Sequence, residues 1–235
     1  DGTGTLVLRS SSPTTICIDW KGGGVAVESY TVTNDLTVCE VTTHAGGECA
    51  IYAYEEKSPL YVFSTNGIKM KDVDLTNMKS LVLVNLTNSG LTDVKLPDSD
   101  DLAELILDKN NLTDIDLSRY ASQLRMLSLN NNQLTSFDAS NMQNLLSLAI
   151  ANNQLTSLKL ANPDMYNLEA SGNQLTDIDL SKNKGLSQLF LSNNQLEHID
   201  IKPLRSIVAL HIDYNKFRIS TLPILKNVSS YQYAN

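Results

Sequence analysis

Residues 128–158 read SLNNNQLTSFDASNMQNLLSLAIANNQLTSL, and the echo within them decides the fold. Leu127, Leu129, Asn132 and Leu134 return as Leu148, Ile150, Asn153 and Leu155, an L-x-L-x-x-N-x-L pattern repeated after 21 residues. Outward in both directions the Asn position recurs at Ser89, Asn110, Asn132, Asn153, Asn173, Asn194 and Asn215, at intervals of 21, 22, 21, 20, 21 and 21. Seven copies at so regular a period describe a solenoid, in which each turn buries its apolar residues only against its neighbours.

Within a copy, apolar residues two apart (Leu189 and Leu191 in the sixth) predict a short strand with one face inward, paired in parallel with its equivalents. The Asn follows where the chain bends out of the strand. A bend leaves backbone N–H and C=O groups inside the coil without ladder partners. An amide offers donor and acceptor together, so Asn110, Asn132, Asn153, Asn173, Asn194 and Asn215 are expected to form a buried ladder, with Ser89 a shorter-reaching substitute. The second half alternates as well: Val73/Leu75, Val94/Leu96, Ile115/Leu117, Phe137/Ala139, Leu158/Leu160, Ile178/Leu180 and Ile199/Ile201. No copy holds a helical period, so a second extended segment is expected where a helix would otherwise sit.

The first 67 residues follow a different grammar. Short β-branched runs at 5–9, 15–20, 25–29, 30–33, 37–42 and 50–54 are separated by SSSP, KGGG and HAGGE turn signals. They predict a small antiparallel unit, with Gly22–Gly24 closing a hairpin between Ile16/Ile18/Trp20 and Val25/Val27. Its expected work is to cover the open end of the solenoid, where core leucines and a sheet edge would otherwise face water. A ligand-binding module is the alternative. Cys39 and Cys49 flank the turn around His44 and are a possible disulfide, provided their backbones come close enough. Buried free thiols are the competing reading. With Cys17 they lack a zinc-ligand spacing, so no metal site is expected.

The repeat motifs NNQLTSL (152–158), NQLTDIDLSKN (173–183) and SNNQLEHIDI (192–201) resemble the 21-residue leucine-rich repeats of secreted and surface proteins of Bacteroidetes and some other bacteria. The closing YNKFRISTLPILKNVSSYQYAN resembles the segment that ends such arrays. The resemblance covers residues 68–235, and the β-rich start is similar in character only. It departs at Ser89, at Ala139 and Ala170 where leucine is usual, and at the two copies of 20 and 22 residues. The fold expected is mainly β: a leucine-rich repeat solenoid with strand-rich, non-helical turns and an N-terminal antiparallel β cap. Its divisions are a cap at 1–67, about seven repeats at 68–218 and a closing segment at 219–235. The resemblance implies an exported bacterial protein, secreted or held at the cell surface, acting in adhesion or protein recognition. A structural spacer within a larger surface protein is the alternative.

Charge narrows the partners. A net charge of −8 without a basic run disfavours nucleic acid and an anionic membrane surface. No apolar run is long enough for a membrane span. The chain opens at Asp1 rather than Met, so the lack of a leader carries no information. A protein partner, host-derived as one option, and a monomer are expected, without a cofactor.

One outward column of the first strands reads Asn85, Ile106, Ser128, Ala149, Glu169, Phe190 and His211. Most of the outward positions are small or polar. Phe190, His211, Asp213 and Tyr214 with Glu169 break that pattern and are the candidate anchors of a partner. Ile106 and Met126 form a secondary apolar pair. The other strand carries Asp74, Lys95, Asp116, Asp138, Lys159, Asp179 and Asp200. One carboxylate pair gives calcium too few ligands, so this row reads as a solvated acidic face. The three histidines stand in no hydrolase, phosphate-loop or metalloprotease motif, and no enzymatic activity is expected.

Overall fold

The computed structural model describes residues 2–10, 14–19, 28–32, 37–43, 49–52, 60–218 and 230–232. The architecture is the expected leucine-rich repeat solenoid of about seven strand-rich turns. It divides into two compact units, Asp1–Leu112 and Thr113–Asn235.

In the first unit, β1 (Gly2–Ser10) pairs antiparallel with β4 (Thr37–Thr43) on one side and β6 (Leu60–Asn66) on the other. From β6 the ladder turns parallel, to β8 (Leu83–Thr87) and then β9 (Glu104–Ile106). A second sheet runs in the order β3 (Glu28–Val32), β2 (Thr14–Asp19), β5 (Cys49–Tyr52), β7 (Met70–Asp74). Here β2 is antiparallel to both neighbours, and β5 is parallel to β7. The N-terminal segment therefore continues both strand ladders of the array and occupies edges that would otherwise carry unpaired N–H and C=O groups.

The β2–β3 hairpin forms, but with one strand where runs at 25–29 and 30–33 were expected. Its register sets Ile16 opposite Tyr30 and Ile18 opposite Glu28. The turn, Trp20, Val25 and Val27 lie outside the described residues. The turn around His44 also lies outside them, and it does not join a hairpin: β4 pairs with β1 and β5 with β2 and β7. Cys39 stands opposite Leu6, Cys49 opposite Met70 and Cys17 opposite Ser29 and Tyr52. Cys39 and Cys49 are thus in different sheets rather than cross-strand neighbours.

β6 pairs in repeat register with β8, Val62 opposite Leu83 and Thr65 opposite Leu86. Buried Ile68 holds the position that Ser89 and the asparagines fill later, so the boundary at 67/68 falls inside a turn. A sequence search keyed on Asn passes over it.

In the second unit β10 (Met126–Ser128), β12 (Ser147–Ala149), β14 (Asn167–Glu169), β15 (Gln188–Phe190), β16 (Ala209–His211) and β17 (Ser230–Gln232) form one parallel ladder. Leu127, Leu148, Leu168, Leu189 and Leu210 lie in a single register row and are buried. Each contributes about 1.5–3 kcal/mol of burial, realised only when the next turn is in place. The second strand is shorter than its alternation predicts. In this unit its only ladder among the described residues joins β11 (Ser136–Asp138) to β13 (Ser157–Lys159). Leu117, Ile178, Leu180 and Ile199 are buried without strand pairing. The segments, paired or not, end in the same way. Asp116, Asp138, Asp179 and Asp200 each accept the backbone N–H two residues on, at 2.8–3.0 Å, which turns the chain away. The 22-residue copy takes up its extra residue in a 3-10 turn at Ser118–Tyr120.

Candidate functional site

The expected Asn ladder forms, and it holds the strand face in place. Asn194 is representative. Its Oδ1 accepts from Leu175 N–H (3.0 Å), while its Nδ2 donates to Ala170 C=O (3.0 Å) and Leu191 C=O (3.1 Å). Asn173 also donates to Ala170 C=O, and Asn215 to Leu191 C=O, so each carbonyl is shared by two amides. Asn153 and Asn110 repeat the arrangement, Asn110 accepting from both Ser89 and Leu91 N–H. Asn132 donates to Leu129 C=O. Ser89 has no such reach and its hydroxyl stands 3.5 Å from Thr65 Oγ1.

The residue before each ladder position is left-handed. Gly67, Asn88, Lys109, Asn131, Asn152, Gly172, Asn193 and Tyr214 have φ between +53° and +74°. This conformation crowds Cβ against the backbone, and Gly or Asn tolerates it best. At Gly172 a Cβ would lie 2.4 Å from Asn152 Oδ1. Tyr214, at φ 53°, is the aromatic exception, and its side chain is 59% exposed.

On the strand face, β14, β15 and β16 place Glu169, Phe190 and His211 in one row. The half-buried Phe190 and His211 rings meet edge to face, centroids 4.9 Å apart at 82°. Glu169 turns its carboxylate to Ser171 N–H (3.0 Å), and Asp213 accepts the Ser192 hydroxyl. The predicted cluster is therefore drawn together, but its two carboxylates face their own loops and its apolar surface comes from Phe190 and Tyr214. The Ser192 hydroxyl is thus spent on Asp213 rather than on His211. Ile106 is half-buried in the first unit, and Met126, in the second, is 43% exposed.

Three exposed apolar side chains escaped sequence reading: Val82 at 37%, Tyr166 at 44% and Val208 at 49%. Each precedes its strand by one residue, Val82 before β8 and the other two in a column of the second unit that reads Arg125, Leu146, Tyr166, Ser187, Val208. Strict alternation assigns that position inward. At the strand mouth it turns out to solvent.

The acidic row is explained by turns. Asp74 and Asp138 are held below the usual carboxylate range chiefly by hydroxyl hydrogen bonds from Thr76 and Ser140, helped by Lys95 (3.0 Å) and Lys159 (3.4 Å). Asp116 is lowered first by Ser118 N–H, and Asp179 by the Ser181 hydroxyl. Among the described residues, no cluster of three or more His, Cys, Asp or Glu side chains is placed to hold a metal, and no helix is long and apolar enough to cross a membrane.

No family model and no curated protein matches the chain. Solved structures do. The functional domain of InlJ from Listeria monocytogenes, which includes a cysteine ladder, is 24% identical with a TM-score of 0.51, covering 66% of this chain and 41% of that one. The internalin InlF of the same organism is 22% identical with a TM-score of 0.55, covering 72% and 63%. A leucine-rich repeat protein of Leptospira interrogans is 21% identical, with a TM-score of 0.48. The likeness to the two internalins is one of fold. This chain spans less than two thirds of the length of either.

Proposed function

We propose that the chain is a non-enzymatic protein-binding or adhesion module of an exported bacterial protein, engaging its partner over the outward face of the first strands. Phe190, His211 and Tyr214 are the anchors. One observation carries this reading: an exposed tyrosine occupies a left-handed position held by Asn in four other turns, three residues after His211 of a half-buried aromatic pair. Strain of that kind persists where the surrounding structure enforces it, and it clusters at functional sites. Exposed aromatics flanked by polar groups are the usual hot spots of an interface.

The test is capture of host extracellular-matrix and epithelial proteins by the whole chain, with Phe190→Ala/Tyr214→Ala as the comparison. A captured protein should bind the double variant about tenfold more weakly or worse, with thermal unfolding little changed. Equal binding by the variant rejects the patch. Capture of nothing by either protein favours a spacer that carries another domain away from the cell surface.

A further inference from the structure

On the turns that lead into the first strands, the second unit carries a basic ridge. Residues 161–165, 179–186 and 200–207 hold Lys182, Lys184, Lys202 and Arg205 against Asp164, Asp179 and Asp200, a local charge of 4 − 3 = +1 in a chain of net charge −8. All four cations are exposed. The turns are in close register: Gly185 N–H donates to Pro163 C=O (2.9 Å) and Arg205 N–H to Lys184 C=O (3.4 Å). Lys184 and Arg205 therefore stand on adjacent turns, where like charges repel.

Elsewhere the solenoid neutralises such positions. Lys95 meets Asp74 and Lys159 meets Asp138, each across one turn. Lys182 faces Asp179 on its own turn. Lys184, Lys202 and Arg205 make no ion pair among the described residues. Directly beside them, Tyr166, Ser187 and Val208 stack at the mouths of β14, β15 and β16, with Ser187 N–H to Tyr166 C=O at 3.0 Å and Val208 N–H to Ser187 C=O at 2.7 Å. Val208 stands three residues before His211, immediately ahead of β16.

We infer that this ridge docks an acidic segment of the protein partner, its carboxylates set against Lys184, Lys202 and Arg205 and an apolar side chain seated on Tyr166 and Val208. The inference rests on the protein-binding reading above. Unpaired like charges with exposed apolar groups at their edge are complementary to that chemistry, and such rim charges set encounter rate and partner choice. An aliphatic contact beside the cations favours a peptide over a sulfated sugar.

The probe is a fluorescein-labelled glutamate-rich peptide with one central leucine, titrated against the whole chain by fluorescence anisotropy, with a heparin oligosaccharide in parallel. The wild-type chain should bind the peptide, more weakly as salt rises. Lys184→Glu/Arg205→Glu should lose about tenfold in affinity with unchanged thermal unfolding. Phe190→Ala/Tyr214→Ala should keep peptide binding, which separates the ridge from the aromatic patch. No peptide binding, binding indifferent to the charge reversal, or tighter heparin binding lost in the same variant would each overturn the assignment.

Discussion

Replacing Asn194 with alanine tests whether the amide ladder holds the recognition face together. The side chain makes three buried hydrogen bonds, but removing it does not orphan three groups. Ala170 C=O keeps Asn173 Nδ2 at 3.1 Å, and Leu191 C=O keeps Asn215 Nδ2 at 2.9 Å. Leu175 N–H loses Asn194 Oδ1, its acceptor at 3.0 Å. One stranded buried N–H costs roughly 1–3 kcal/mol, and weakening two carbonyls adds about 0.5 kcal/mol each, giving roughly 2–4 kcal/mol in all. Urea unfolding followed by circular dichroism measures it. The Asn173→Ala/Asn194→Ala double variant should lose more than the sum of the singles, because Ala170 C=O then loses both donors. Partner binding should weaken with Asn194→Ala, since this amide ties the turn bearing Phe190 to the turn bearing Glu169. A loss under about 1 kcal/mol, or strict additivity of the pair, would show that water or backbone satisfies these groups and that the ladder argument is wrong.

Three further outcomes follow from individual residues. Tyr214→Asn should raise stability by about 1 kcal/mol, or about 2–4 °C in Tm, by relieving the left-handed tyrosine, while weakening partner binding; a lower Tm would mean that the ring packs more than its exposure suggests. Asn183 is buried with Oδ1 unpartnered, in a column that also holds Met78, Ser99, Tyr120, Met142, Asn162 and Leu204. Because Asn162 C=O keeps Met165 N–H at 3.2 Å, Asn183→Leu should leave stability unchanged or raise it by about 1 kcal/mol in urea unfolding, and a clear loss would point to a bound water there. Asp74, Asp116, Asp138 and Asp179 have folded pKa values below the ordinary 3.8, so their contribution is present above that value and is lost as pH falls through it and below. Tm should therefore be insensitive to these groups from pH 7 to 5 and fall below pH 4, less steeply in a variant with all four changed to Asn; an identical slope would remove the turn-capping argument.

The sequence by itself determined the repeat, its period, the inward leucines and the Asn ladder. Each of these depends on residues about 21 apart meeting across one ladder spacing, and period alone dictates that. It also marked Glu169, Phe190, His211 and Asp213 as neighbours, because equal offsets in successive copies become one row. Contacts off that grid were settled only by tertiary structure. Cys39 and Cys49 flank one turn in sequence, yet β4 pairs with β1 and β5 with β2 and β7, a choice of partner that spacing does not encode. Ile68 holds the ladder column, fully buried, without looking like a ladder residue. Tyr166 and Val208 faced solvent because alternation fails at the mouth of a three-residue strand. The orientations of Glu169 and Asp213, turned to loop hydrogen bonds, were decided by where the nearest donor stands, a distance that no one-dimensional pattern encodes.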